Sequence, residues 1–450
     1  MKRPERKPPS KARLRKHLNA DALIAGVRRE WEKLPDFRNV SPKIPIADVA
    51  MSAFAMFSLK DPSLLAFEKR WTARDHNLHS LYRIGTIPSD TTMREILDTI
   101  SPMKLRPAFR TVFTQLQRGK VLEEMTVLDG HLLLALDGTG YFSSEKLHSE
   151  FCLEKTDAHT GKTTYYLQMM GAALVHPDFK EVIPLAPEPI CREDGTTKND
   201  CERNAAKRFV EKFRTEHPHL KVIVTEDALS PNAPHIEILQ RLDLRFILGV
   251  KPGDHAFLFQ KADEAATNGH SVEFDLPDPC DPDKLHYFRY VNNLPLNKSH
   301  PGLRVNLLEY WQDTSKGVLR FSWITDFAIT RENAFTIMRA GRARWKIENE
   351  TFNTLKNQGY HLEHNYGLGK KHLSAVFVTI MMLAFLVDQV QQLCCPLFRA
   401  VWTKLQSKRD LWERMRALFF DFELESMRML YEALLYGYKR PVPEITYDSS

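Results

Sequence analysis

The chain has 450 residues, room for two or three domains. With 43% hydrophobic residues, 27% charged residues and 19 glycines, it falls outside the collagen-like and wholly disordered classes. The formal charge of +6 is uneven: residues 1–17 (MKRPERKPPSKARLRKH) hold eight Lys or Arg against Glu5, or +7, leaving the rest of the chain near −1.

Residues 1–20 read as a disordered basic arm, either a solubilising tail or a sequence-independent contact to nucleic acid phosphates. The basic start is not followed by the apolar run of a secretory signal. Six cysteines without a CxxC pair make no disulfide scaffold. A cytoplasmic location is therefore expected.

Residues 21–120 read as helical. Ile46 to Phe57 is apolar and Ala-rich, Thr92 with Glu95 fits a capping box, and Lys104 to Arg118 forms a later helix. Position alone suggests a DNA-binding role here, since no helix-turn-helix spacing is visible.

From 121 to 250 the pattern changes. His131 to Leu136 is a near-continuous apolar run, expected of a strand buried on both faces. Tyr165 to Val175 and Val182 to Leu185 read as strands, Asp200 to His217 as a charged amphipathic helix, and Leu220 to Val224 as a strand. Ser230 with Pro231 marks a helix start, and Leu244 to Val250 is a fifth strand. Early strands followed by alternation predict a mixed α/β sheet with flanking helices.

Residues 251–330 break that alternation, with strands at Leu303 to Trp311 and Val318 to Thr325, and read as a β-rich insertion. Residues 331–358 predict one long helix. Residues 372–450 form a C-terminal helical region. Its apolar run, Leu373 to Val387, is short of the roughly 20 residues that span a bilayer.

Three acids stand out by placement. Asp137, in LALDGTGYFSS, is expected at the end of a buried strand, with Gly138 and Gly140 turning the chain away; Asp129, in VLDGH, is the runner-up. Asp227, in VIVTEDALSPN, follows the fourth strand. Glu226 beside it points to the opposite face, so one of the two faces the site. Glu348, in RARWKIENETFNTLK, shares a helical face with Trp345, Phe352 and Leu355, while Glu350 points away to solvent. A carboxylate on an apolar stripe needs a partner or a metal, and Arg344 lies one turn before it. Carboxylates without an accompanying Cys/His set favour Mg²⁺ or Mn²⁺, and a pair of such ions suits in-line phosphoryl transfer.

These segments resemble the DDE-type transposases of bacterial insertion sequences, over about residues 130–375. The most specific match is the Arg344–Glu348 segment, R-W-x-I-E followed by Phe352 and Lys356. The resemblance implies a ribonuclease H-like catalytic domain over 121–250 and 331–371, interrupted by the β-rich insertion. It implies an enzyme that binds the inverted-repeat ends of a mobile element, cuts the phosphodiester and joins 3′ ends to target double-stranded DNA. Asp137, Asp227 and Glu348 would hold two Mg²⁺ or Mn²⁺ ions. Arg344 and Lys356 would contact phosphates, and a homodimer would bridge two DNA ends in the bacterial nucleoid.

Two positions depart from the family pattern. Gly341 stands where a Tyr is common, and Leu355 stands where the Lys is usual, with Lys356 next to it. These departures keep a non-catalytic DNA-binding descendant open as an alternative, and a general metal-dependent nuclease is another. Trp311 and Trp323 are candidates for stacking on a flipped base or for the core. Lys370 and Lys371 either grip a DNA backbone or form a plain loop. His148 and Cys152, with Cys191 and Cys201 beyond, make only half a zinc site.

Overall fold

The computed structural model describes residues 15–36, 38, 42–190, 192, 200–228 and 230–437. Most of the basic arm and Cys191 lie outside the described residues.

The centre is one mixed sheet. Its strands are β1 (Leu132–Ser144), β2 (Leu153–Thr156), β3 (Thr163–Val175), β4 (Ile183–Pro184), β5 (Glu188–Ile190), β6 (Val222–Glu226), β7 (Arg245–Gly249), β8 (Val272–Asp278), β9 (Asp281–Asn297), β10 (His300–Thr314) and β11 (Gly317–Thr325). They lie in the order β2-β3-β1-β6-β7-β11-β10-β9-β8, with β4 and β5 paired to β3. β1 runs antiparallel to β3 and parallel to β6, and β6 runs parallel to β7. Leu132 to Leu136 and Val222 to Glu226 are buried throughout, as central strands covered on both faces require.

Four expectations need correction. β1 does not end at Asp137: it continues to Ser144 because β3 pairs with it along that whole length, with a register shift between Gly140 and Phe142. The parallel partner stops earlier, at Ala135 opposite Thr225, so Asp137 lies just past the point where β6 leaves β1. The insertion is not a separate β body: β11 pairs with β7, so its strands extend the central sheet, after a helix at Ala256–Thr267. The 331–358 helix is interrupted, running as α-helix over Arg331–Ala343, as π-helix over Ile347–Phe352 and as α-helix over Asn353–Asn357. Finally, two helix starts shift: Ser89 caps Asp90–Leu97, and Asn232 caps Ala233–Arg241 with Pro234 in its first turn.

The helical stretches before and after the sheet share one core. The helix Leu373–Cys394 packs on Ile46–Ser58. At 22 residues it is long and apolar enough to cross a membrane by length and composition, contrary to the shorter run read from sequence, yet 89% of its most apolar window is buried within the protein. Its N-terminus is fixed by Asp98, whose carboxylate accepts the backbone N–H groups of Lys370, Lys371, His372 and Leu373 at 2.8–3.0 Å. A Cβ on Gly369 would meet Asp98 Oδ1 at 2.3 Å, so this turn needs its glycine.

Candidate active site

Asp137 and Glu348 are brought together by Arg344. One guanidinium nitrogen lies 3.1 Å from Asp137 Oδ2 and the other 2.7 Å from Glu348 Oε1. The second Asp137 oxygen accepts the Gly138 N–H at 2.9 Å. Packing explains the meeting: the π-helical turn lies on β1 and β3, and Phe352 rests on Gly171, where a Cβ would stand 2.5 Å from the ring. Gly171 is the residue paired with Asp137.

The π-turn alters the faces of this helix. Ile347, Thr351 and Phe352 are buried, whereas Trp345 is 52% exposed and the Glu348 side chain 47% exposed. The 100° spacing that put Glu348 in an apolar stripe does not hold across a wider turn, and Glu350 is only half-buried rather than fully solvated. Glu348 therefore faces open space beside its arginine.

Asp227 follows the last residue of β6 and lines a cleft together with Arg344. Strand alternation separates it from Glu226. Glu226 is 3% exposed and lies 3.0 Å from the equally buried His235, so of the two acids Asp227 belongs to the site. Asp129 is ruled out by geometry: it sits in a turn before β1, a strand's length from Asp137, at roughly 3.3 Å per residue.

A fourth carboxylate escaped the sequence reading. Glu202, the first residue of the helix Glu202–Glu216, lies across Gly138, where a Cβ would stand 2.0 Å from Glu202 Oε1. Burial and the charge of Asp227 raise its carboxyl above the ordinary range. A glycine after Asp137 was the available signal, because it marks a close approach, though it does not name the visitor.

Negative charge is in surplus here. Burial pushes the Asp137 carboxyl up to about 7; Arg344 opposes this, while Glu348 and Asp227 add to it. Oxygen donors in such surplus suit a hard divalent cation, which would relieve their repulsion. Among the described residues no three His, Cys, Asp or Glu side chains stand close enough to form a ready cage. The donor set fits Mg²⁺ or Mn²⁺ in kind.

The cleft beside Asp227 and Arg344 has a volume of about 1010 Å³. Its walls carry Tyr310, Trp311, Phe321, Trp323 and Trp345 with Lys251, Arg320 and Arg342. Trp323 is only 5% exposed, stacks on Phe321 and covers Gly341, where a Cβ would stand 2.4 Å from the indole nitrogen. Gly341 thus makes room for this tryptophan, and Trp323 is chiefly a core residue. Trp311, stacked on Tyr287, and Trp345 are the more open aromatic surfaces.

Other expected contacts lie elsewhere. Lys356 pairs with Glu363 at 2.9 Å. Lys370 and Lys371 have exposed side chains, but their backbone serves the Asp98 turn. His148 stacks on Tyr165 and Cys152 is buried beside Ser149, with Cys201 exposed; among the described residues these form no metal site.

No protein-family model matches this chain, and no curated protein matches it. Among solved structures, the cryo-EM structure of a piggyBac transposase synaptic complex with hairpin DNA is similar at 13% identity and a TM-score of 0.39, covering 96% of this chain and 85% of that chain. A likeness this faint assigns neither fold nor activity.

Proposed function

We propose that this protein is a transposase that cuts DNA at the ends of a mobile element and joins the freed 3′ ends to target DNA. The observation that supports it best is the convergence of Asp137, Asp227 and Glu348. They come from β1, from the end of its parallel neighbour β6, and from a helix after the insertion; Asp137 and Glu348 share Arg344, and Asp227 lines the same aromatic cleft as Arg344 and adds its charge to Asp137. The sheet order also supports a ribonuclease H-like reading: an antiparallel β3–β1 pair is continued by parallel β6 and β7, with the acids where β1 and β6 part.

In this reading Asp137, Asp227 and Glu348 hold two Mg²⁺ or Mn²⁺ ions, with Glu202 close by. Ions of this class, once bound, stabilise the attacking and leaving oxygens of phosphoryl transfer. The chain itself supplies the remaining roles. Arg344 releases one or both carboxylates and turns its paired N–H donors to a phosphate, a geometry guanidinium groups favour. Trp345 and Trp311 offer faces for an unpaired base. The π-turn sets where Glu348 stands relative to β1.

The test uses the full chain and duplexes carrying the DNA that flanks its coding sequence. Mg²⁺-dependent cuts at repeat ends are expected. Asp137→Ala and Glu348→Gln should bind the same DNA and leave it uncut. Cleavage by either variant at the wild-type rate overturns the assignment, and equal cutting of unrelated duplexes would make the protein a general nuclease instead. Homodimerisation on DNA belongs to the same proposal and is read by mass photometry of the complex.

A further inference from the structure

Arg342 stands two residues before Arg344 on the same cleft wall, yet it is held very differently. Arg344 is spent on Asp137 and Glu348, and Arg289, also on the cleft, takes both Glu309 and Asp263. Arg342 has no carboxylate within ion-pair distance among the described residues, and it is exposed. Its guanidinium lies over the Phe321 ring at 5.5 Å, and that ring stacks on Tyr310 with centroids 6.5 Å apart.

Tyr310 is in turn the inner end of a fixed chain. Its hydroxyl lies 2.9 Å from His286 Nδ1 and donates to Gln312 Oε1 at 3.1 Å. His286 Nε2 lies 2.9 Å from Asp278 Oδ2, and the other Asp278 oxygen accepts the N–H groups of Cys280 and Asp281 at 2.7 and 3.1 Å. The His286 ring packs edge-on against Phe335, which belongs to the helix that carries Arg342. Tyr310 and His286 are buried, at 1% and 4% exposure. The β8–β9 turn is thus linked through side chains to a single guanidinium on the cleft wall.

A free arginine has about 2 kcal/mol of rotamer entropy to lose when it binds. An arginine already held over a ring has lost part of that beforehand, so binding costs less. It lines a cleft that also carries Glu273 and Glu309, yet among the described residues no acid pairs with it, and a planar fork of donors suits a phosphodiester. Lys251 and Arg320 line the same cleft and also lack an acid partner among the described residues.

We propose that Arg342, seated on Phe321 with the Asp278–His286–Tyr310 chain backing that ring, is a preset contact for one DNA phosphodiester in the cleft. The proposal rests on the transposase reading for its ligand, but not on cleavage. It assigns Arg342 to binding and His286 to positioning.

The experiment measures binding of a fluorescein-labelled duplex with a short single-stranded tail, without divalent ions, across a salt series. The full chain is compared with Arg342→Gln, Arg342→Lys and His286→Phe, each checked for an unchanged thermal midpoint. Losing one phosphate contact should weaken binding about tenfold and lower the steepness of log K against log salt by about 0.7–0.9. Arg342→Lys keeps the charge and should keep the salt slope while losing part of the affinity. His286→Phe keeps the aromatic packing and should weaken binding with the slope intact, because the charge is present but no longer held. Wild-type affinity and slope in Arg342→Gln overturn the proposal while the transposase reading stands. Failure of the wild-type chain to bind any duplex overturns both.

Discussion

Around Lys60 the charges balance; around Asp137 they do not. Lys60 Nζ lies 2.5 Å from Asp388 and 2.9 Å from the Ser58 carbonyl, between the rings of Tyr360 and Trp412 at 4.3 Å each. Asp388 also accepts the Tyr360 hydroxyl at 2.6 Å, and neither charge reaches solvent. One cation meets one anion, and neutral donors and ring faces close the shell. Near Asp137, one arginine serves two acids, Asp227 and Glu202 add further charge, and the group borders a cleft. A closed and balanced cluster has nothing left to bind and serves to join elements, here the helix Ile46–Ser58, the loop carrying Tyr360 and the helix Leu373–Cys394. An open and unbalanced one stores repulsion that a cationic ligand would relieve.

The contrast breaks most sharply under substitution. Asp137→Asn should lower strand cleavage by about a thousandfold or more, the scale for removing a directly participating group, with thermal stability kept or raised. A variant with unchanged cleavage would make the open cluster merely structural. Asp388→Ala should cost about 3–5 kcal/mol by leaving Lys60 buried without its partner. Replacing both, as Lys60→Met with Asp388→Leu, should recover most of that loss in a chemical denaturation series. If the single and double variants are equally unstable, the pair is more than a balanced linker.

Smaller effects sharpen the same comparison. Glu202→Gln should raise the Mg²⁺ concentration needed for half-maximal cleavage by about tenfold, as for groups beside a metal's direct ligands. No change would place Glu202 outside the functional cluster. The weakest signal is pH-dependent. In the folded chain Asp137 keeps its proton up to about pH 7, whereas the unfolded chain releases it near the ordinary value of about 4. Stability measured without divalent ions should therefore fall as pH rises from about 4 to about 7 and level off above that. Asp137→Asn should flatten this dependence, and an identical profile in both proteins would refute the assigned cause.

Some of this was legible residue by residue. Asp137, Asp227, Glu348 and Arg344 were each picked out by local patterns, a buried-strand run, a strand end and an i to i+4 spacing, although β1 does not end at Asp137 and Glu348 lies on no buried apolar stripe. The buried strands of β1 and β6 were visible for the same reason. Glu202 was hidden because an acid in the first turn of a charged helix is ordinary; only the fold lays it across Gly138. Arg342 and the Asp278–His286–Tyr310 chain were hidden because their members lie on different strands and a helix.

The sequence by itself determined which segments become central strands, where the acids fall along the chain, and that its basic charge is concentrated at one end. Those features follow from local periodicity and composition. Only the tertiary structure decided that β1 runs on past Asp137 along β3, that the insertion strands extend the same sheet through β7, that a π-turn interrupts the Glu348 helix, and that Arg344 reaches Asp137. Strand pairing and helix winding at those points depend on partners distant in sequence, so no local pattern could specify them.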